Sequence, residues 1–161
     1  MRRARSASGG DAEPVPPLGE VLDFMRLIWA LDHGLRVESK RLKARRQLAY
    51  SQQLVLRIVG RFPGLSPGQL ARILHVDPST VSATLHHLSR RGLLGRSPDP
   101  RDRRRVQLGL TERGRDLDVP TADSIESIVS RTLSRLPGGR VAAAREVLEA
   151  LCAALGASHD A

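Results

Sequence analysis

The sequence predicts a mainly α-helical chain with a small β-wing: a winged helix-turn-helix domain plus N- and C-terminal helices that serve dimerisation. Three observations carry that prediction. Two short helix starts, at Ser66-Pro67-Gly68-Gln69 and at Asp77-Pro78, face each other across a tight turn. Two β-like runs follow, Leu93-Leu94 towards Arg96 and Val106–Leu110, joined by a loop with arginines at 96, 101, 103, 104 and 105. The segments before and after this unit repeat apolar residues at helical spacing and hold more apolar surface than so small a domain can bury.

Residues 1–17 are Arg, Ser, Ala, Gly and Pro without apolar periodicity, and read as a flexible basic tail. From Leu18 to about Ala44, apolar residues at Val21/Leu22, Met25, Ile28/Trp29 and Leu35 predict a long helix, with a bend at Gly34. A second helix is expected over 51–61 with Leu54, Val55, Ile58 and Val59 inward, ended by Phe62-Pro63-Gly64. Ser66 and Gln69 form a capping box for the third, whose first position suits Pro67.

The fourth helix is the one the others serve. Asp77 caps it, Pro78 fits its first turn, and Gly92 ends it where a left-handed residue is wanted. Val81, Leu85 and Leu88 recur at i, i+4 and i+7, which makes one apolar stripe. Its outer face carries Ser79, Thr80, Ser82, Ala83, His86 and His87, small or hydrogen-bonding side chains that can approach base edges in a major groove. Beyond the hairpin, Thr111 caps a fifth helix that Pro120 breaks, 121–136 reads helical, Pro137-Gly138-Gly139 reads as a turn, and a last helix runs over 141–155. The expected organisation is therefore an N-terminal pairing helix over 18–46, a winged domain over 47–113, pairing helices over 114–157 and a short tail over 158–161.

Charge points to the partner. The chain has a formal net charge of +9, of which Arg90–Arg105 contributes seven arginines against two aspartates, and Arg36–Arg46 six Lys/Arg against Glu38. Each segment is a local +5, so the remainder is close to neutral and the basicity is concentrated. That favours a polyanion, duplex nucleic acid ahead of a membrane surface. With only 2% aromatic residues, stacking of single-stranded bases on exposed rings is disfavoured. No apolar run has membrane-spanning length and no secretory signal pattern is present, so the expected location is cytoplasmic.

At Asp102-Arg103-Arg104-Arg105-Val106-Gln107-Leu108-Gly109-Leu110-Thr111-Glu112-Arg113-Gly114 the sequence resembles the MarR family of winged helix-turn-helix transcriptional regulators. The wing motif of that family, Asp-x-Arg followed by a strand, Leu-Thr and a glycine, matches at Asp102, Arg104, Leu110, Thr111 and Gly114. Pro78-Ser79-Thr80-Val81 and Leu88 through Gly92-Leu93-Leu94 are similar to its recognition helix and the exit into the wing. The resemblance implies a homodimeric repressor on a pseudo-palindromic operator. It implies that Arg104 sits at the wing tip and enters the minor groove while Asp102 fixes the wing, with Arg101, Arg103 and Arg105 at phosphates. Ser66 and Gln69 join the residues expected at DNA. It further implies a small aromatic or anionic effector, with Trp29, His33, Arg46 and Tyr50 as candidates to line its site; packing explains each of the four equally well. The sequence departs from the family at Ala83, where many relatives have a larger polar or basic residue, at His86-His87, where an acidic–basic pair is common, and at Pro120, where many continue a helix.

Other chemistries find little support. No nucleophile–base–orienter set and no phosphate-cradling glycine loop is present, so the expectation is a non-enzyme without cofactors. His86 and His87 are adjacent and so diverge on a helix, while His33, His75 and His159 lie in different elements, and no metal site is expected. Cys152, the single cysteine, reads as a small packing residue of the last helix. The competing reading is a winged-helix interaction module that offers its basic face to an acidic protein.

Overall fold

The computed structural model describes residues 16–102 and 104–157. Along the chain lie α1 (Glu20–Arg46), α2 (Tyr50–Arg61), α3 (Pro67–Leu74), α4 (Pro78–Arg90), β1 (Leu94–Pro98), β2 (Val106–Leu110), α5 (Glu112–Leu117), α6 (Ile125–Leu133) and α7 (Gly138–Ala157). The chain divides into two compact units within α1, between Gly34 and Leu35. α1 itself is assigned as one helix through Gly34.

In the first unit, Val21, Met25, Leu27, Ile28, Trp29 and Leu31 are all exposed. They occur all round the helix rather than in one stripe, which is the pattern of a helix that is covered on several sides.

The second unit has a continuous aliphatic core. Leu48, the α2 residues Val55, Leu56 and Val59, Leu70 and Ala71 of α3, Val81, Leu85 and Leu88 of α4, and Leu93, Leu94 and Leu108 of the wing pack together. Each fully buried leucine stabilises the fold by about 1.5–3 kcal/mol relative to exposure. The inward face of α2 differs from the sequence expectation: Leu56 is buried, whereas Leu54 and Ile58 are only partly so. The reason is rotational. α2 turns Val55, Leu56 and Val59 to the core and leaves Leu54 facing an open cleft.

β1 pairs antiparallel with β2 in a register that sets Leu94 opposite Leu110, Arg96 opposite Leu108 and Pro98 opposite Val106. The pairing begins one residue later and runs further than expected, through Pro98. Leu108 also accepts from the Gly64 N–H at 2.9 Å and donates to Leu65 O at 2.9 Å, which ties the loop before α3 to the wing.

Two helix starts differ from expectation. α6 begins at Ile125, not near Thr121, because Ser124 takes the cap: its Oγ accepts from Ser127 N at 3.1 Å, and Ser127 Oγ donates to Thr121 O at 2.8 Å. The buried Ile125 is where this helix first gains apolar contact. Gly138 and Gly139 are the opening residues of α7 rather than a turn. Their N–H groups precede the first intrahelical bond, so the helix tolerates them there, and Pro137 O accepts from Arg140 N at 2.9 Å. Pro120 lies beyond α5, which stops at Leu117.

Candidate nucleic-acid interface

The two helix caps of the helix-turn-helix form as their residue types dictate. Ser66 Oγ accepts from Gln69 N at 3.2 Å and Gln69 Oε1 accepts from Ser66 N at 2.9 Å, a reciprocal box at the start of α3. Asp77 Oδ1 accepts from Ser79 N at 2.6 Å at the start of α4. Between them His75 adopts a left-handed conformation (φ 51°), the corner that sends the chain from α3 into α4. At the far end Gly92 (φ 67°) lets Leu93 N return to Leu88 O at 3.0 Å, so α4 stops and the wing begins.

This framework leaves one face of α4 open. Ser79, Thr80, Ser82, Ala83, His86 and His87 are all exposed, while Val81, Leu85 and Leu88 are buried beneath them. Thr84, on the flank, spends its hydroxyl on Thr80 O at 3.1 Å. At the start of α3 the capping box occupies the Ser66 hydroxyl and Gln69 Oε1.

The wing tip is organised by two aspartates. Asp102 Oδ1 accepts from Arg104 N at 3.0 Å, Asp102 O accepts from Arg105 N at 2.8 Å, and Asp102 Oδ2 lies 3.4 Å from Arg105 Nε. Asp99 was not picked out in the sequence, yet it does matching work. Its Oδ1 accepts from Arg101 N at 2.8 Å and its N–H donates to Arg105 O at 2.9 Å. The Arg101 N–H, with the Gln107 side chain, holds the Asp99 carboxyl below the usual carboxylate range, so the tie persists at neutral pH. Asp-Pro-Arg at 99–101 was the available signal, since Asp-Pro favours a side-chain-closed turn. Arg101, Arg104 and Arg105 are exposed on this scaffold, and Arg103 lies outside the described residues.

A second basic contributor was also missed. Arg72 and Arg105 share a groove of about 360 Å³ with Ser66, Gly68 and Gln69, where the N-terminal end of α3 meets the start of β2 near the wing tip. Arg72 follows Gln69 by three residues and so shares its helix face, which made it findable from spacing.

The link from α2 to the C-terminal helices runs through an arginine. Arg57 of α2 donates from Nη1 to Asp118 O at 2.7 Å and Asp118 Oδ1 at 3.0 Å, and from Nε and Nη2 to Glu126 at 2.7 and 3.0 Å. The guanidinium pulls the Glu126 carboxyl below its ordinary range, and Glu126 in turn raises Arg57 further above its own. Beside this fork opens a largely apolar cleft of about 570 Å³ between α2, the Leu117–Pro120 segment and α6.

The four effector candidates have separate fates. Tyr50 is on the cleft wall, and burial pushes its phenol pKa up, so it is neutral there. Trp29 and His33 stack on each other in the first unit, with ring centroids 5.5 Å apart and planes at 16°. The Arg46 side chain lies outside the described residues. Cys152, expected to pack, is exposed; with Ala153 and Gly156 it faces a groove beside the His75–Pro78 turn rather than a core.

Comparison with known proteins bears on this geometry directly. The family model described as MarR family matches residues 47–105, which run from the start of α2 through the helix-turn-helix to the wing tip. Over this module the chain is similar to the MarR family of transcriptional regulators. The HTH-type transcriptional regulator TtmR of Methylorubrum extorquens is 32% identical over 90 residues, covering 56% of this chain and 46% of that protein. The chain thus matches under half the length of that relative. The HTH-type transcriptional repressor Rv2887 of Mycobacterium tuberculosis is 27% identical over 125 residues, 78% of this chain and 90% of its own. Among solved structures, the Staphylococcus aureus MepR–DNA complex superposes with a TM-score of 0.66 at 22% identity, covering 82% of this chain and 97% of that one. At that identity the likeness speaks for the fold. Among the described residues no helix is long and apolar enough to cross a membrane.

Proposed function

We propose that this chain acts as a MarR-like homodimeric repressor that binds a pseudo-palindromic duplex operator. The observation that carries the reading is the juxtaposition of an exposed, small and polar α4 face with a tied, arginine-bearing wing tip. A helix of that kind enters a major groove, and Arg104 reaches the flanking minor groove. Ser79, Thr80, Ser82, Ala83, His86 and His87 read base edges; Arg72, Arg101 and Arg105 neutralise phosphates. Each unit offers apolar surface that a second copy covers: the exposed apolar residues of α1 in the first, and Ile128, Val129 and Leu133 of α6 with Val147 and Leu148 of α7 in the second. Two such protomers present their α4 helices to half-sites about 34–36 Å apart.

The test is titration of the protein with duplex DNA from its own upstream region at several salt concentrations. Expected is site-selective binding whose affinity drops steeply with salt, by roughly 10³-fold or more between about 50 and 200 mM for six or more phosphate contacts. Weak binding that is equal for all sequences would overturn the operator-reading role, and competition by an acidic protein would then favour the interaction-module alternative.

The apolar cleft beside Tyr50 is the proposed effector site, and its charge balance narrows the chemistry. Arg57, the cation on its wall, is already engaged by Asp118 and Glu126. An anion therefore finds its counter-charge taken, and an uncharged or cationic apolar molecule fits better. Tetraphenylphosphonium is expected to raise the melting temperature at concentrations where benzoate does not; the reverse order would refute the assignment.

A further inference from the structure

The stretch between the winged module and α6 is a broken helix, and one side chain spans the break. α5 stops at Leu117, Asp118 caps it, Pro120 follows, and α6 restarts at Ile125. Arg57 grips both sides at once: Asp118 before the break, through its backbone oxygen and carboxylate, and Glu126 in the first turn of α6, through a two-pronged fork. The arginine itself is anchored. It sits on α2 between Leu56 and Val59, which are buried in the same core as Leu85 and Leu88 of the recognition helix. Where α2 passes Asp118 the approach is close enough that a Cβ on Gly60 would overlap that carboxylate.

We propose that Arg57 is a positioning residue that sets the angle of α6 against the recognition module, and through it the separation of the two α4 helices in the dimer. The inference rests on the dimeric operator-reading role above. Three features suit Arg57 to this task. A guanidinium fork fixes direction as well as distance, which an ammonium does not. Its partners are on different elements, 61 and 69 residues away in the chain, so the contact constrains tertiary geometry and not local helix stability. The cluster is also partly open, with the Arg57 and Glu126 side chains 37% and 48% exposed, and both line the apolar cleft. A ligand in that cleft can therefore displace the fork, and it shifts the dimer only so far as it prefers one arrangement over the other.

The experiment measures the separation directly. In the full chain with Cys152→Ser, a nitroxide on Arg90→Cys at the end of α4 reports the distance between protomers by pulsed electron resonance. The expected result is a single narrow distribution, which Arg57→Met broadens or shifts by several ångströms. Glu126→Ala should do the same, and the double variant should add little to either. A second arm uses the footprinted operator and a version with two base pairs inserted between half-sites. Arg57→Met should reduce the preference for the natural spacing at least about fivefold, with affinity for an isolated half-site unchanged. Arg57→Lys, which keeps the charge and loses the fork, should remain with the methionine variant. An unchanged distance distribution in a folded Arg57→Met protein, or equal loss on half-site and full site, overturns the proposal. Absence of any inter-protomer distance in the parent protein would instead overturn the dimer on which it rests.

Discussion

Gly114→Ala is expected to lower stability by about 3 kcal/mol, at the upper end of what overpacking causes. Gly114 is buried in the first turn of α5, and a Cβ there would overlap the carbonyl oxygen of Leu93 and come within 3.0 Å of its carbonyl carbon. That oxygen has little freedom to retreat. It accepts from Thr111 N at 3.2 Å, Leu93 itself is in the core, and Thr111 Oγ1 ties the same corner by donating to Gly92 O at 2.7 Å and accepting from Gly114 N at 3.0 Å. An added methyl must therefore pry α5 off the wing or deform the exit from α4. In a chain of this length the loss corresponds to a melting temperature lower by roughly 6–12 °C, measured by circular dichroism at matched protein concentration. Gly109→Ala is the control, since a Cβ at Gly109 meets nothing within 4 Å. Equal melting of the two variants would contradict the steric argument.

Arg104→Ala is expected to weaken operator binding about 10- to 100-fold, which is 1.4 to 2.8 kcal/mol at tenfold per 1.4 kcal/mol. The backbone N–H of Arg104 is bound by Asp102 at 3.0 Å, so its position at the tip is held before DNA arrives and little ordering remains to be done on binding. Arg105, by contrast, lies 3.4 Å from the Asp102 carboxylate and is partly neutralised. The loss should be larger on operators with A·T-rich flanks, whose narrow minor groove has the stronger negative potential. Arg101→Ala, at a phosphate, should weaken all sequences alike and reduce the salt slope by about one. Fluorescence anisotropy on operators with A·T-rich and G·C-rich flanks separates the two. A uniform loss for Arg104→Ala would move it to the phosphate group and leave the wing without a role in sequence choice.

The aspartates at the tip were unequally legible. Asp102 came with the Asp-x-Arg motif and its local partners, Arg104 and Arg105. Asp99 was missed although its bond to Arg101 closes two residues on; what the sequence could not show are its further ties to Arg105 and Gln107 across the hairpin, which exist only once Pro98 and Val106 are paired. The same distinction explains the helix starts. Ser66 and Asp77 were recognised because each closes a bond to a residue two or three positions on, whatever surrounds it. Between Thr121 and Ser124, two cap residues compete, and burial of Ile125 decided for the second.

What the sequence determined by itself is the recognition module: the paired caps, the Val81/Leu85/Leu88 stripe, the glycine exit at Gly92, and the wing strands with their basic tip. All of these follow from periodicity and from hydrogen bonds that close within a few residues. Only the tertiary structure decided that Arg57 bridges Asp118 and Glu126, that Arg72 meets Arg105, that Gly114 has no room for a methyl, and that an apolar cleft opens beside Tyr50. Those contacts join residues tens of positions apart. They depend on how helices are rotated and docked around a shared core, and no local pattern of side chains encodes that rotation.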